Sequence, residues 1–333
     1  MNSDNAPVGV LLTNLGTPDS PEVVDVRRYL KEFLSDPRVV SMSPLIWWPL
    51  LNLVILNIRP KYSARAYQKI WTDEGSPLLA FSRQQAEALQ LALGNDGRYT
   101  VELAMRYGKP SIEAGMASLK QRGARKIVVL PLYPQFSHTT TSSTRDAVDG
   151  VVNDEQVPAE IHFISQYYEH PGYIAALADS VLEHWARSGR ADKLIMSFHG
   201  IPEDYVAAGD PYAEQCRLTA KLLADTLELN EDEWLLTFQS RVGKKEWLRP
   251  YTDKTLQSLA QSGTRSVQIV CPGFSVDCLE TLEEIQVENR DYFIEAGGER
   301  YEYIPCLNAR EDHIQMLASL VRETDSELKG SAG

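Results

Sequence analysis

Leu194-Ile195-Met196-Ser197-Phe198-His199-Gly200-Ile201-Pro202 decides the fold. An apolar run of strand type ends in a histidine, and a glycine–proline break follows at once. Working outward, seven further runs of the same kind alternate with amphipathic segments. The strand candidates are Val8–Asn14, Tyr99–Met105, Lys126–Leu132, Glu160–Ile164, Lys193–His199, Glu233–Gln239, Ser266–Cys271 and Tyr301–Ile304. Between them the helical period predicts helices such as Ser111–Arg122, Tyr173–Arg187, Thr252–Gln261, Leu279–Ala296 and Glu311–Arg322. Strand–helix alternation predicts an α/β fold with parallel, doubly wound sheets. In such sheets ligand chemistry collects at the C-terminal ends of strands, where His199 falls. Imidazole titrates near neutrality and ligates metals, so His199 suits proton transfer, metal handling, or a hydrogen bond to a loop.

The chain repeats itself. Leu12–Pro18 resembles Met196–Pro202 at an offset of 184, which pairs Leu15 with His199. Arg106–Lys109 resembles Arg241–Lys244 at 135, and Ser118–Arg125 resembles Ser258–Arg265 at 140. The order is kept, so two similar α/β halves are expected. The drop in offset places about 49 additional residues between Gly16 and Arg106. Pro44–Leu56 (PLIWWPLLNLVIL) lies within that surplus, is too short to span a bilayer, and is interrupted by Pro49. It reads as a short helix or helix pair, serving either as an apolar lip over a ligand or as cover for the sheet.

The second site candidate is Cys271-Pro272-Gly273-Phe274-Ser275-Val276-Asp277-Cys278-Leu279-Glu280, where a strand ends, a Pro-Gly loop follows and a helix begins. Glu280, Glu284 and Glu288 are four apart, a ladder of like charges on one helix face. Cations or protons would use such a ladder; a solvated acidic face is the alternative. One imidazole and one carboxylate suit proton abstraction or transient divalent-metal binding. Arg106, Tyr107 and Tyr133 end strands of the first half and offer a carboxylate fork and aromatic faces. The hydroxyl-rich loop Ser137–Thr144 suits either N-capping or an anion. Trp247, after a glycine turn, is either core cover or a ligand contact.

Net charge is −13 over 333 residues, which argues against a nucleic-acid partner. No glycine-rich nucleotide fingerprint is present. The first residues have neither a basic nor an apolar leader segment, so a cytoplasmic chain is expected, with peripheral contact at the inner membrane as the variant. Cys216, Cys271, Cys278 and Cys306 are scattered and read as reduced thiols.

Together these motifs resemble the ferrochelatase family, and its proteobacterial branch above all. They are LLTNLGTP, WWPL, GSPL, MRYGKP, LPLYPQFS, SFHGIP, GDPY, TFQSRVG, CPGFSVDCLETLEE and YEYIPCLNA, in order along nearly the whole chain. The resemblance implies two Rossmann-like domains with a porphyrin cleft between them. It divides the chain into residues 1–155 with the lip at about 40–80, residues 156–308, and a C-terminal segment 309–333. In that segment a helix returns to the first domain, and the tail Gly330–Gly333 is expected to be disordered. The implied activity is insertion of Fe²⁺ into protoporphyrin IX to give haem. His199 and Glu280 are implied as catalytic and as transient metal ligands. Leu15, Arg106, Tyr107, Tyr133 and Trp247 are implied as porphyrin contacts, and Glu284 and Glu288 as a proton or metal path. The segment at Trp47–Trp48 is implied as the lip and as a transient membrane contact.

Three positions depart from the family pattern. Cys278 stands where animal members have histidine. His138 stands where they have a cluster cysteine, and the tail lacks cysteines, so no [2Fe–2S] cluster and no permanently bound cofactor are expected. Glu246 replaces the proline usual before the pocket tryptophan. The other readings are a cobalt chelatase of a related tetrapyrrole and a non-catalytic tetrapyrrole-binding protein.

Overall fold

The computed structural model describes residues 6–155, 160–243 and 245–331. Eight segments rich in valine, isoleucine and leucine form strands, as apolar and β-branched side chains do where both faces of a sheet are covered. β1 (Val8–Thr17), β2 (Tyr99–Gly108), β3 (Lys126–Pro131) and β4 (Glu160–Phe163) make a parallel sheet in the order β2-β1-β3-β4. β5 (Lys193–His199), β6 (Trp234–Gln239), β7 (Ser266–Val270) and β8 (Arg300–Tyr303) make a second parallel sheet in the order β6-β5-β7-β8. The two orders are the same, as the repeat in the sequence requires. The chain leaves the first strand of each sheet toward one side and later crosses to the other. A topological switch point therefore lies between β1 and β3, and another between β5 and β7.

The chain divides into two compact units: Met1–Tyr133, His138–Ser165 and Ala309–Gly333 form one, Pro134–Ser137 and Gln166–Asn308 the other. In the first, Leu11, Ile127 and Val129 of the sheet pack with Met116 and Leu119 of α5 (Ile112–Gln121) and Val148 of α6 (Ser143–Glu155). The opposite face carries α4 (Pro77–Leu93), on which α12 (Glu311–Ser331) packs. Arg98 pairs with Asp325 of α12 at 2.6 Å, and Arg322 donates to the Ala92 carbonyl. Helix α12 runs through Ser331; Ala332 and Gly333 of the tail lie outside the described residues. In the second unit Ile195, Val267 and Ile269 pack with Leu256 of α10 (Thr252–Gln261) and with Ile285 and Phe293.

A glycine stands at the C-terminal end of the first strand of each sheet, where the neighbouring strand comes close. A Cβ on Gly16 would lie 1.8 Å from the Tyr107 carbonyl oxygen, and φ there is +116°. A Cβ on Gly200 would lie 2.9 Å from the Gln239 carbonyl oxygen. In each case the strand end passes so close to its neighbour that only hydrogen fits.

The apolar segment continues further than its composition suggests. α2 (Pro44–Pro49), a π-helical stretch (Leu50–Ile55) and α3 (Leu56–Ile70) form one helical run, with Pro49 and Pro60 accommodated inside it. Trp47 is tied down, since its indole N–H donates to the Leu34 carbonyl at 2.7 Å. Trp48, Leu45 and Leu53 project outward, each at least 66% exposed. No helix among the described residues is long and apolar enough to cross a membrane.

Candidate active site at the β5–β7 switch point

His199 is the last residue of β5, and Glu280 follows the loop after β7, so both belong to the C-terminal edge at the switch point. His199 is half-buried. Its Nδ1 lies 2.6 Å from the Gly200 carbonyl oxygen. A carbonyl only accepts, so Nδ1 carries a proton, and the nitrogen that can gain or lose one is Nε2. Trp247 and Phe274 stand against the imidazole, each with its ring centroid 6.4 Å away.

Trp247 reaches this place through local backbone pairing. Leu248 N–H donates to Ile201 O and Glu203 N–H donates to Glu246 O, each at 3.0 Å. These bonds lay residues 246–248 alongside 201–203. The departure at Glu246 is thereby explained: the bond uses its carbonyl, which a proline also offers. Trp247 is half-buried with its N–H on the Val242 carbonyl, which fits neither pure core cover nor a fully open face.

The carboxylate ladder differs from the α-helical expectation. Glu280–Asn289 is a π-helix, followed by the short α11 (Arg290–Glu295). Its hydrogen bonds run from i to i+5 rather than i to i+4, so residues four apart still share a face, with a different rotation. Side chains stabilise this rare geometry by donating to its main-chain carbonyls. Gln239 Nε2 donates to Glu280 O at 3.1 Å, Asn289 Nδ2 donates to Glu284 O at 2.8 Å, and the Tyr301 hydroxyl donates to Ile285 O. Asp277, 3% exposed, anchors the N-terminal end and accepts from Thr281, Tyr303 and Asn308. Exposure rises along the ladder: Glu280 and Glu284 are half-buried and Glu288 is exposed.

Burial pushes the Glu284 carboxyl up to about 7, helped by the charges of Glu280 and Glu288 and opposed by two bonds from Ser240. The Ser240 N–H donates at 2.7 Å, and the Ser240 hydroxyl donates as well. Ser240 sits at φ +67°, a region that L-residues enter at a cost of about 1–2 kcal/mol. Cys278, where histidine is found in animal members, is 3% exposed. Burial pushes its thiol well up, and the Glu280 carboxylate, hydrogen-bonded to it, adds to that. All four cysteines are free and buried.

In the first unit the strand ends hold a charged cluster. Arg106 Nη2 contacts Asp36 at 2.6 Å, and its Nε contacts the Ser143 hydroxyl at 2.7 Å. The Tyr107 hydroxyl donates to Asp36 at 2.8 Å. Burial tends to raise the Asp36 pKa, but bonds from Ser143, Tyr107 and the Arg38 N–H, with the charge of Arg106, bring it below the ordinary value. Tyr107 is 1% exposed, so it offers no open aromatic face. The expectation of a ligand-facing ring is corrected there: the tyrosine supports the Asp36–Arg106 pair. Leu15 is half-buried beside Gly16, and its N–H donates to the Asn14 side chain. Tyr133 is half-buried, with burial raising the pKa of its phenol next to Thr144. The hydroxyl loop is largely internal: Ser143 serves Asp36 at 2.6 Å, and Ser137 donates to Asp210 at 2.8 Å. Sequence reasoning gave no role to Asp36, Gln239 or Ser240, each of which acts through a contact distant in sequence. Ser143 was legible only as part of the hydroxyl-rich loop and Phe274 only as part of the Pro-Gly loop after a strand.

Residues 7–325 match the ferrochelatase family. The chain belongs to the ferrochelatase family. It is a metal chelatase. The ferrochelatase of Pseudoalteromonas atlantica is 54% identical over 318 residues, covering 95% of this chain and 88% of that one. Ferrochelatase 1 of Shewanella oneidensis is 53% identical, with 97% of each chain covered. Among solved structures, SirB from Bacillus subtilis with Fe³⁺ shares the fold at a TM-score of 0.56 and 13% identity, covering 97% of this ferrochelatase-family chain and 98% of its own.

Proposed function

We propose that the protein inserts Fe²⁺ into protoporphyrin IX, forming haem and releasing the two pyrrole protons, with His199 and Glu280 at the reacting centre. The observation that carries this reading is the His199 ring. Its proton is fixed on Nδ1 by the Gly200 carbonyl, which leaves Nε2 as the base. The two pyrrole N–H groups give up their protons in turn to Nε2, the first passing on to the carboxylates before the second leaves, and the Glu280 carboxylate stabilises the imidazolium and meets the incoming iron. Glu284, held near 7, exchanges protons at neutral pH and passes them toward the exposed Glu288. The rings of Trp247 and Phe274 give a flat apolar macrocycle a surface to lie on.

The outward side chains of Leu45, Trp48 and Leu53 support transient contact with the surface of the cytoplasmic face of the inner membrane, where poorly soluble porphyrin and haem partition. Iron enters as substrate. His199→Ala tests the centre: with Fe²⁺ and protoporphyrin IX under anaerobic conditions, loss of porphyrin fluorescence by metallation should cease while porphyrin binding persists. Full insertion by this variant would refute the assignment.

A further inference from the structure

Gln239 is the last residue of β6 and lies directly beside His199 in the sheet register. It is 2% exposed, a polar side chain taken wholly into the interior. Such a group is retained only with its hydrogen bonds satisfied, because each lost partner costs about 1–3 kcal/mol. All of its partners lie on the two segments that carry the reacting groups. Its main-chain carbonyl accepts from the Gly200 N–H at 2.8 Å, which fixes the residue following His199. Its Oε1 accepts from the Ser197 hydroxyl at 2.7 Å, two residues before His199 on the same strand. The Cys271 thiol, at the end of β7, approaches the same oxygen at 3.7 Å. Its Nε2 donates to the main-chain carbonyl of Glu280, the first residue of the π-helix, at 3.1 Å.

We infer that Gln239 is a positioning residue for metal insertion, a fixed strut that sets the separation between the His199 imidazole and the Glu280 carboxylate. The inference rests on the reading of His199 and Glu280 given above. The geometry accounts for a glutamine rather than an apolar residue here. One end of the amide must accept from β5 while the other donates to the π-helix, and only a primary amide of this length does both at once. A change of ångström size in the separation of two catalytic groups costs on the order of a hundredfold in rate, so a lost strut acts on turnover rather than on porphyrin affinity.

Two variants test this. Gln239→Met keeps the volume and removes both hydrogen bonds. Its kcat for ferrous insertion should fall roughly tenfold or more, while the protoporphyrin dissociation constant, read by fluorescence, stays within about threefold of the parent. Gln239→Glu keeps the shape, and its carboxyl can donate to the Glu280 carbonyl only when protonated. Its kcat relative to the parent should therefore decline as pH rises, which a loss of packing would not produce. This second series decides the matter even if the methionine variant fails to fold. An unchanged kcat in folded Gln239→Met, a kcat loss matched by an equal loss of porphyrin affinity, or a pH-independent ratio for Gln239→Glu would overturn the inference. His199→Ala, assayed alongside, separates the two claims. If it inserts iron normally, the underlying reading fails; if it is inactive while the Gln239 variants match the parent, only the strut fails.

Discussion

Replacing Glu284 by glutamine should change how the protein's stability depends on pH. Burial carries this carboxyl from an ordinary 4.5 to about 7. At about 1.4 kcal/mol for each tenfold change, the folded chain bears a cost of about 3 kcal/mol once the group is ionised. The native state holds the proton more tightly than the unfolded chain does. The cost is therefore small near pH 4.5, grows as pH rises toward 7, and is complete above it. Glutamine has the same shape, retains an acceptor for the Ser240 N–H, and never ionises. The difference in unfolding free energy, variant minus parent, should rise by about 2–3 kcal/mol between pH 5 and pH 8. Urea unfolding of both proteins at the two pH values measures it. Contributions that do not titrate, such as an altered bond to the Ser240 hydroxyl, cancel in that comparison. Parallel curves for the two proteins would show that Glu284 does not carry a raised pKa in the folded state.

Three further outcomes are expected. Gly16→Ala would press a Cβ to 1.8 Å from the Tyr107 carbonyl at a φ of +116°, and should cost about 4 kcal/mol in urea unfolding; an unchanged midpoint contradicts the close approach. Asp36→Ala strips the half-buried Arg106 of its counter-charge and the Tyr107 hydroxyl of its acceptor. A loss of about 3 kcal/mol is expected from unfolding curves, and parent-like stability would argue against a tight cluster. Trp48→Ser should reduce sedimentation with phosphatidylglycerol–phosphatidylethanolamine vesicles roughly severalfold without slowing iron insertion in detergent. Equal sedimentation would remove this face as the membrane contact.

The sequence alone determined the parallel α/β class, the duplication and the segments that carry the chemistry. Those signals are local. A strand declares itself by a run of apolar residues, and its end by a glycine or proline, so His199 and Glu280 were legible as strand-end groups. The repeat was legible because strand ends that leave no room for a side chain, as at Gly16 and Gly200, keep their residue type. What only the tertiary structure decided lies in contacts between distant segments. The spacing of Glu280, Glu284 and Glu288 reads as an α-helix, and a π-helix forms instead. Three of its carbonyls take additional donors from Gln239, Asn289 and Tyr301, two of which arrive from other strands. Tyr107 reads as a ligand-facing ring and is buried because Asp36, 71 residues away in sequence, draws its hydroxyl inward. The perturbed acidity of Glu284 has the same origin. A carboxylate's pKa depends on the density of protein around it and on the donors that reach it, and sequence spacing fixes neither.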